Sequence, residues 1–283
     1  MQGYPWTRGL LWIWCALFLV FLYSPLLVMG VLSFQSGPDG GPQFPIVEWS
    51  VYWYKHLFGS APPSRVAPLP IWTSLIRSTA LASLTMIIST VLGVMTAQAF
   101  RRRFRGDRWA FAIILLGMLT PGVLVGLGIA LVSNTLAIPR TWWGTALAVH
   151  VVYTLPFSFL IMTAVFRRFD PVLEDAAASL GASPAKTFRR VIFPMISPGV
   201  VSSMLFAFTL SYDEFARTLF AAGADATLPL AIYGTFAAEL HPNLFAFGVL
   251  TTLFSFSLLA VYGVLMSLTV ARTRRIAIQE DIA

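Results

Sequence analysis

Three ionisable side chains lie close together near the end of an otherwise apolar stretch: Asp213, Glu214 and Arg217. On a helix, residues three or four positions apart face the same side, so either carboxylate can pair with the guanidinium. One carboxylate is then left over. Such a group attracts cations, and the rings of Phe208 and Tyr212 nearby can add cation–π attraction. The pattern predicts either an ion pair that fixes the helix or a path for a cationic solute.

Little else in the sequence could form a catalytic centre. The three histidines, His56, His150 and His241, are scattered, and the single cysteine, Cys15, lies in an apolar run. No cluster of His, Asp or Glu has the spacing of a zinc site. His150 can either line a pore or be a hydrogen-bonded packing residue, and both interpretations stay open. We expect no catalytic residue, no metal and no cofactor bound by this chain.

The elements that position these residues are predicted to be membrane helices. Hydrophobic residues make up 57% of the 283 residues and charged residues only 11%, whereas about a quarter of a soluble domain is charged. A bilayer crossing takes about 20 apolar residues. The apolar runs lie near 10–34, 72–100, 109–132, 143–166, 196–221 and 244–270. They predict an all-α polytopic protein whose six transmembrane helices form a single domain, residues 1–283.

The positions of the charges predict the orientation. Most of the 19 lysines and arginines lie at the two ends of the chain and in the connections after the second and fourth runs. Positive charge is enriched on the cytoplasmic side of membrane proteins. Both termini and these two connections are therefore predicted to be cytoplasmic. The net charge of +7 then reflects topology and contact with anionic membrane lipid, and no nucleic acid is expected as a partner.

The connection after the fourth run, about 167–195, carries signals for two short helices. Asp170 and Pro171 can start the first, and Gly181 can end it. Ser183 and Pro184 can start the second, expected to reach about residue 193. Small side chains on the first helix allow a partner protein to approach closely.

This connection resembles the EAA loop found in the membrane subunits of ATP-binding-cassette (ABC) importers. The family pattern is Glu-Ala-Ala, three residues and a glycine, then nine residues, an isoleucine, one residue and Leu-Pro. Seven residues of this chain stand at matching offsets, with Val191 and Phe193 as apolar replacements: Asp175, Ala176, Ala177, Gly181, Val191, Phe193 and Pro194.

The match leaves one choice open in the loop and extends to segments outside it. Glu174 directly precedes Asp175, which leaves open which of them makes the family's usual contact with the ATPase. Lys186 belongs to the same predicted coupling loop. Beyond the loop, FTLSYDEF at 208–215 and TLPLAIYG at 227–234 resemble the spermidine and putrescine permease branch.

The resemblance implies a permease subunit of a type I ABC importer, with a MetI-like fold, in a bacterial inner (plasma) membrane. It implies a second permease subunit, forming a heterodimer in the polyamine branch. It further implies two cytoplasmic ATPase subunits that bind ATP and Mg, and an external substrate-binding protein. The chain has no Walker A motif, which requires Gly-Lys-Ser/Thr, because its two lysines, Lys55 and Lys186, follow Tyr54 and Ala185.

The substrate that the resemblance implies is a polyamine such as spermidine or putrescine. Other importers of this class carry amino acids, phosphonates, iron or oxyanions, and these stay as alternatives. A secondary transporter is a further alternative, but we find no matching pair of broken helices in the two halves of the sequence. The candidate residues of the substrate pathway are His150, Phe208, Tyr212, Asp213 and Glu214.

Overall fold

The computed structural model describes residues 5–35, 43–61, 71–238 and 242–280. Nearly all of these residues are helical, and the described ranges contain no strand, only one isolated antiparallel bridge between Gln35 and Trp49. The predicted all-α class is confirmed. Both ends of the chain, which the charge pattern places in the cytoplasm, lie outside the described residues.

Twelve α-helices are assigned within the described ranges. In chain order they are α1 Pro5–Leu32, α2 Tyr52–Leu57, α3 Ile71–Ala99, α4 Asp107–Leu119, α5 Gly122–Thr135, α6 Leu147–Phe166, α7 Val172–Ser179, α8 Pro184–Thr187, α9 Phe193–Tyr212, α10 Thr218–Ala221, α11 Leu228–Ala238 and α12 Pro242–Glu280. A π-helical turn, Trp142–Ala146, leads into α6, and another, Phe188–Ile192, joins α8 to α9.

The helices are grouped in two compact units. One comprises Met1–Pro70 and Ile232–Ala260, and the other comprises Ile71–Ala231 and Val261–Ala283. In the first unit, the hydroxyl groups of Ser33 and Tyr54 are 2.7 Å apart, which ties the end of α1 to α2. That the whole chain acts as a single permease domain stays a prediction.

Five helical runs in the described residues are long and apolar enough to cross a membrane. They are Trp6–Leu32, Trp72–Ala99, Trp142–Phe166, Pro184–Tyr212 and Pro242–Val261. A sixth crossing is obtained if α4 and α5 are counted together. These numbers agree with the predicted polytopic fold.

The third predicted span, 109–132, is not one straight helix. Its two parts, α4 and α5, are bent by 98° at the break. Thr120 has an extended backbone, with ψ at 128°, because the ring of Pro121 disfavours the helical conformation in the preceding residue. The break also leaves carbonyl groups at the end of α4 without partners inside that helix.

The fifth predicted span, 196–221, is wrong at both ends. The helical run begins earlier, at Pro184, and ends at Tyr212. The expected second short helix of the coupling loop is thus the first part of this long run, and the coupling connection is shorter than the predicted 167–195. The residues after Tyr212 leave the helix, and helical structure resumes only at α10.

The core of the second unit lies where α3, α6 and α9 pack together. Phe159, Met162 and Ile196 are buried there. Gly93 of α3 permits a close approach to α6, because a Cβ atom at this position would lie 2.7 Å from the Cβ of Ser158. These closely packed helices hold α7 at one end and the break after Tyr212 further along α9.

Candidate functional site

The break in the fifth span is organised by Glu214. Its carboxylate accepts a hydrogen bond of 2.9 Å from the backbone N–H of Arg217, and its carbonyl accepts one of 2.7 Å from the hydroxyl of Thr218. Such bonds offer the backbone an alternative to the continuing helix. The predicted ion pair of Arg217 forms with Glu214, but the two residues do not share a continuous helix, because α9 ends at Tyr212 and α10 begins only at Thr218.

Arg217 is buried and joins the two broken spans. Its guanidinium donates to the Glu214 carboxylate at 2.8 Å and to the carbonyl of Thr120 at 3.3 Å. The guanidinium carbon lies 3.7 Å from the centroid of the Tyr153 ring. A cation at the end of α4 also suits the negative end of that helix. We call this group, Glu214, Arg217, Thr120 and Tyr153, the guanidinium junction.

Two glycines of α5 make room for the guanidinium junction. A Cβ atom on Gly126 would lie 2.7 Å from the carbonyl oxygen of Arg217, and one on Gly122 would lie 2.9 Å from its Nη1. No side chain fits at Gly126 without moving the backbone of the break. The small face of α5 is thus required for Arg217 to be held in place.

His150 lies buried beside the same break and bridges its two sides. Its Nδ1 is 2.7 Å from the hydroxyl of Ser211 in α9, and its Nε2 is 2.8 Å from the hydroxyl of Thr218 in α10. Thr218 gives its hydroxyl hydrogen to the carbonyl of Glu214, so it accepts from Nε2. The neutral ring then carries its hydrogen on Nε2 and accepts from Ser211.

The five candidate pathway residues differ in exposure. Phe208 and Tyr212 stack with ring centroids 5.6 Å apart and are buried, as is His150. Glu214 is engaged by Arg217, with 9% of its side chain exposed. Asp213 alone among the five is exposed, and no ion pair joins it to any other described residue. Pathway roles for these residues stay predictions.

The predicted coupling loop has the expected glycine bend at Gly181. The Asp170 carboxylate accepts a 3.0 Å hydrogen bond from the N–H of Val172 at the start of α7. At its end, the N–H of Ala182 donates to the carbonyl of Ala177, and that of Gly181 donates to Ala178. This is a Schellman motif, and Gly181 takes the left-handed conformation, φ +78°, that it requires.

Glu174 and Asp175 are placed differently. Glu174 pairs with Arg101 at 2.5 Å, and the Arg101 guanidinium lies 5.3 Å and 5.1 Å from the ring centroids of Phe166 and Phe169. Asp175 is exposed and has no ion pair among the described residues. The structure thus holds the start of α7 against the ends of α3 and α6 through Glu174.

The other predicted coupling residues lie on or next to this helix. Ala176 is exposed and Ala177 is half-buried, both in α7, whereas Lys186 and Pro194 are exposed on the helical run that follows. No side chain of α7 is buried, although Val172 and Leu173 are apolar.

Residues 89–275 match the family model of the binding-protein-dependent transport system inner membrane component. The chain belongs to this family. It is 27% identical over 246 residues to the spermidine/putrescine transport system permease protein PotC of Haemophilus influenzae, covering 85% of this chain and 90% of that protein. It is 29% identical over 242 residues to the putrescine transport system permease protein PotI of Escherichia coli, covering 81% of each.

A solved structure agrees with the family in its fold. A chain of a bacterial ABC transporter involved in the import of the acidic polysaccharide alginate superposes with a TM-score of 0.66 at 17% identity, covering 94% of this chain and 99% of that one. The predicted MetI-like permease fold and the resemblance to polyamine permeases are confirmed. The chain is a membrane permease subunit of an ABC importer.

Sequence reasoning missed most partners of the site. Arg101, Thr120 and Tyr153 are far in sequence from the acids and rings that they contact, and no local pattern links them. A signal existed for α5, since Gly122 and Gly126 are one helical turn apart, the spacing of a close helix contact. Among the described residues, no group of three or more His, Cys, Asp or Glu could hold a metal ion.

Proposed function

We propose that this chain and a second, similar permease subunit form the translocation pathway of a polyamine importer. The observation that carries the proposal is the similarity to PotC and PotI, which extends over at least four fifths of each chain. Spermidine and putrescine are cations. An exposed carboxylate beside a helix break suits their passage better than an apolar wall would.

Asp213 is the carboxylate that we assign to the substrate path. Glu214 is neutralised by Arg217 at 2.8 Å, whereas Asp213 remains exposed at the end of α9. The buried stack of Phe208 and Tyr212 directly precedes it. In this proposal the aromatic pair supports Asp213, and the second permease subunit supplies the other side of the path.

The energy for transport comes, in our proposal, from ATP and Mg bound by two ATPase subunits in the cytoplasm. The exposed face of α7, with Val172, Leu173 and Ala176, is the surface that enters an ATPase. Since Glu174 is held by Arg101, Asp175 is the carboxylate that meets the ATPase. We further propose that the chain lies in the inner membrane of a bacterium, with both termini in the cytoplasm. An external binding protein delivers the substrate.

The first experiment measures ATP hydrolysis by the reconstituted complex. The chain would be purified with the permease, ATPase and binding protein encoded beside it, and assayed with spermidine, putrescine, amino acids, phosphonates, ferric iron and oxyanions. Stimulation by a polyamine alone supports the proposal. Stimulation only by another ligand keeps the importer and rejects the polyamine.

A second experiment tests the coupling surface separately. Ala176→Asp places a charge on the proposed contact face, and Ala178→Asp places the same charge on the exposed opposite side of α7. A charge at a packed contact loses both packing and solvation. We expect Ala176→Asp to abolish copurification of the ATPase and Ala178→Asp to preserve it. Equal copurification by both variants would contradict the assignment of this face.

The substrate path is tested with Asp213→Asn. We expect this variant to assemble with the ATPase and to lose polyamine-stimulated hydrolysis. The conservative variant Asp213→Glu retains the charge and should retain most of the stimulation. Unchanged stimulation in Asp213→Asn would return Asp213 to a structural role.

A further inference from the structure

A cavity of about 760 Å³ lies at the ends of α3 and α6, beside the start of α7. Its inner wall is aromatic. The Phe100 and Phe159 rings have centroids 5.0 Å apart, and Phe111 lies 5.8 Å from Phe159. The cavity is large enough for a headgroup with the first part of an acyl chain, and it lies where two apolar spans end. This is the depth at which lipid headgroups meet protein.

The rim of the cavity carries surplus positive charge. Arg101, Arg102 and Arg167 line it, as do Glu174 and Asp175. Arg101 is already paired with Glu174. Arg102 and Arg167 are exposed, and neither has an ion-pair partner among the described residues. Two guanidinium groups are therefore available to one anion that occupies the cavity.

Gln98 supplies an independent sign of a missing ligand. It lines the same cavity, and its Oε1 atom is buried without a hydrogen-bond partner. A buried polar atom left unpaired is costly, so such atoms normally meet a partner. A ligand that carries a hydroxyl donor next to its anionic group would satisfy Gln98 and the arginines together.

We propose that this cavity binds the headgroup of an anionic phospholipid, with phosphatidylglycerol as the fitting type. The phosphate lies between Arg102 and Arg167, a glycerol hydroxyl donates to Gln98, and the acyl chains run along the phenylalanines. Basic pockets between membrane helices bind anionic headgroups in this way. Because Glu174 and Asp175 also line the cavity, the bound lipid lies directly against α7.

Lipid binding in this cavity leaves part of α7 free for a protein partner. Pro171, Glu174 and Asp175 line the cavity, while Val172 and Leu173 fall on the other side of the helix, where they are 64% and 38% exposed. Asp175 is itself exposed, so α7 can contact lipid through Pro171 and Glu174 and a protein partner through Val172, Leu173 and the Asp175 carboxylate. The lipid site stands on its own residues and does not depend on the identity of the transported substrate.

The test uses the full-length chain, with its copurifying subunits, in phosphatidylcholine nanodiscs. A photoactivatable phosphatidylglycerol with a diazirine near the ester is added, and labelled peptides are mapped by mass spectrometry. We expect labelling of the peptides that contain Phe100 and Phe159. The double variant Arg102→Gln and Arg167→Gln should reduce this labelling at least about tenfold, because it removes both unpaired cations that attract the anionic headgroup.

Matched controls separate the outcomes. Arg103→Gln with Arg189→Gln removes the same charge from exposed positions outside the cavity and should leave labelling unchanged. Arg102→Lys with Arg167→Lys should retain most of it. Equal labelling by a phosphatidylcholine probe, or unchanged labelling in the glutamine variant, would overturn the proposal. Competition by inorganic phosphate as strong as by unlabelled phosphatidylglycerol would replace the lipid with a free anion.

Discussion

The guanidinium carbon of Arg217 lies 3.7 Å from the centroid of the Tyr153 ring. A cation at the break of the fifth span thus lies over an aromatic ring of α6 and is neutralised by Glu214. Burying a charge is costly unless it is paired and hydrogen-bonded. The guanidinium junction satisfies that condition with contacts from three separate segments of the chain, at Thr120, Tyr153 and Glu214.

Removing one charge of the buried Glu214–Arg217 pair should therefore destabilise the protein strongly. Glu214→Gln leaves the Arg217 cation without its counterion, and we expect a loss of about 3–5 kcal/mol in the free energy of unfolding. Asp225→Asn is the matched control, because Asp225 pairs with Arg77 at 3.1 Å with both side chains 29% exposed. Such a pair contributes about 1 kcal/mol at most. Melting of the two purified variants in one detergent measures the difference, and similar losses would contradict the junction.

The glycines of α5 provide a second prediction. Gly126→Ala forces a Cβ atom to within 2.7 Å of the Arg217 carbonyl oxygen, so we expect destabilisation of about 1–3 kcal/mol. Gly128→Ala, two residues away, meets no atom within 4 Å and should be neutral or slightly stabilising, because alanine favours helix. Melting temperatures report both variants. A neutral Gly126→Ala would show that the break is not packed on α5.

The bridge made by His150 can be tested without changing the histidine. Thr218→Val removes the hydroxyl that accepts from Nε2 and leaves a buried N–H group unpaired, a cost of about 1–3 kcal/mol. Thr209→Val makes the same replacement where the hydroxyl bonds only to backbone carbonyls of its own helix. We expect a smaller effect from that control. Chemical denaturation measures the free energy of unfolding of both variants. Equal losses of stability would contradict the bridge from His150 to Thr218.

The different roles of Glu174 and Asp175, the two adjacent acids of α7, can be distinguished with one pair of variants. Glu174→Gln weakens the tie to Arg101 and should increase hydrogen exchange across residues 172–183. Asp175→Asn should leave that exchange unchanged and reduce ATPase copurification. The exchange is measured on the purified permease and copurification on the complex. Faster exchange in Asp175→Asn than in Glu174→Gln would reverse the assignment of the two roles.

The sequence predicts the helical class, the polytopic character, the EAA-like loop and its glycine bend, because each depends on local composition or spacing. It does not predict that α4 and α5 bend by 98° or that the fifth span breaks after Tyr212. Those breaks are stabilised by Thr120, Tyr153 and Arg217, which are distant in sequence. Helical spacing correctly predicts that Glu214 can reach Arg217. However, the hydrogen bonds of Glu214 end the continuous helix that this prediction assumed.

The continuity of the run from Pro184 to Tyr212 has a mechanical consequence. Its 29 residues, at about 1.5 Å per residue, form a strut about 43 Å long. One tip follows the glycine bend at Gly181, and the other carries the break that Arg217 secures. A displacement at the first tip reaches the second through the π-helical turn and past Pro198 in α9. These are the two places where the run can bend, and bending there would reduce the movement that reaches the break.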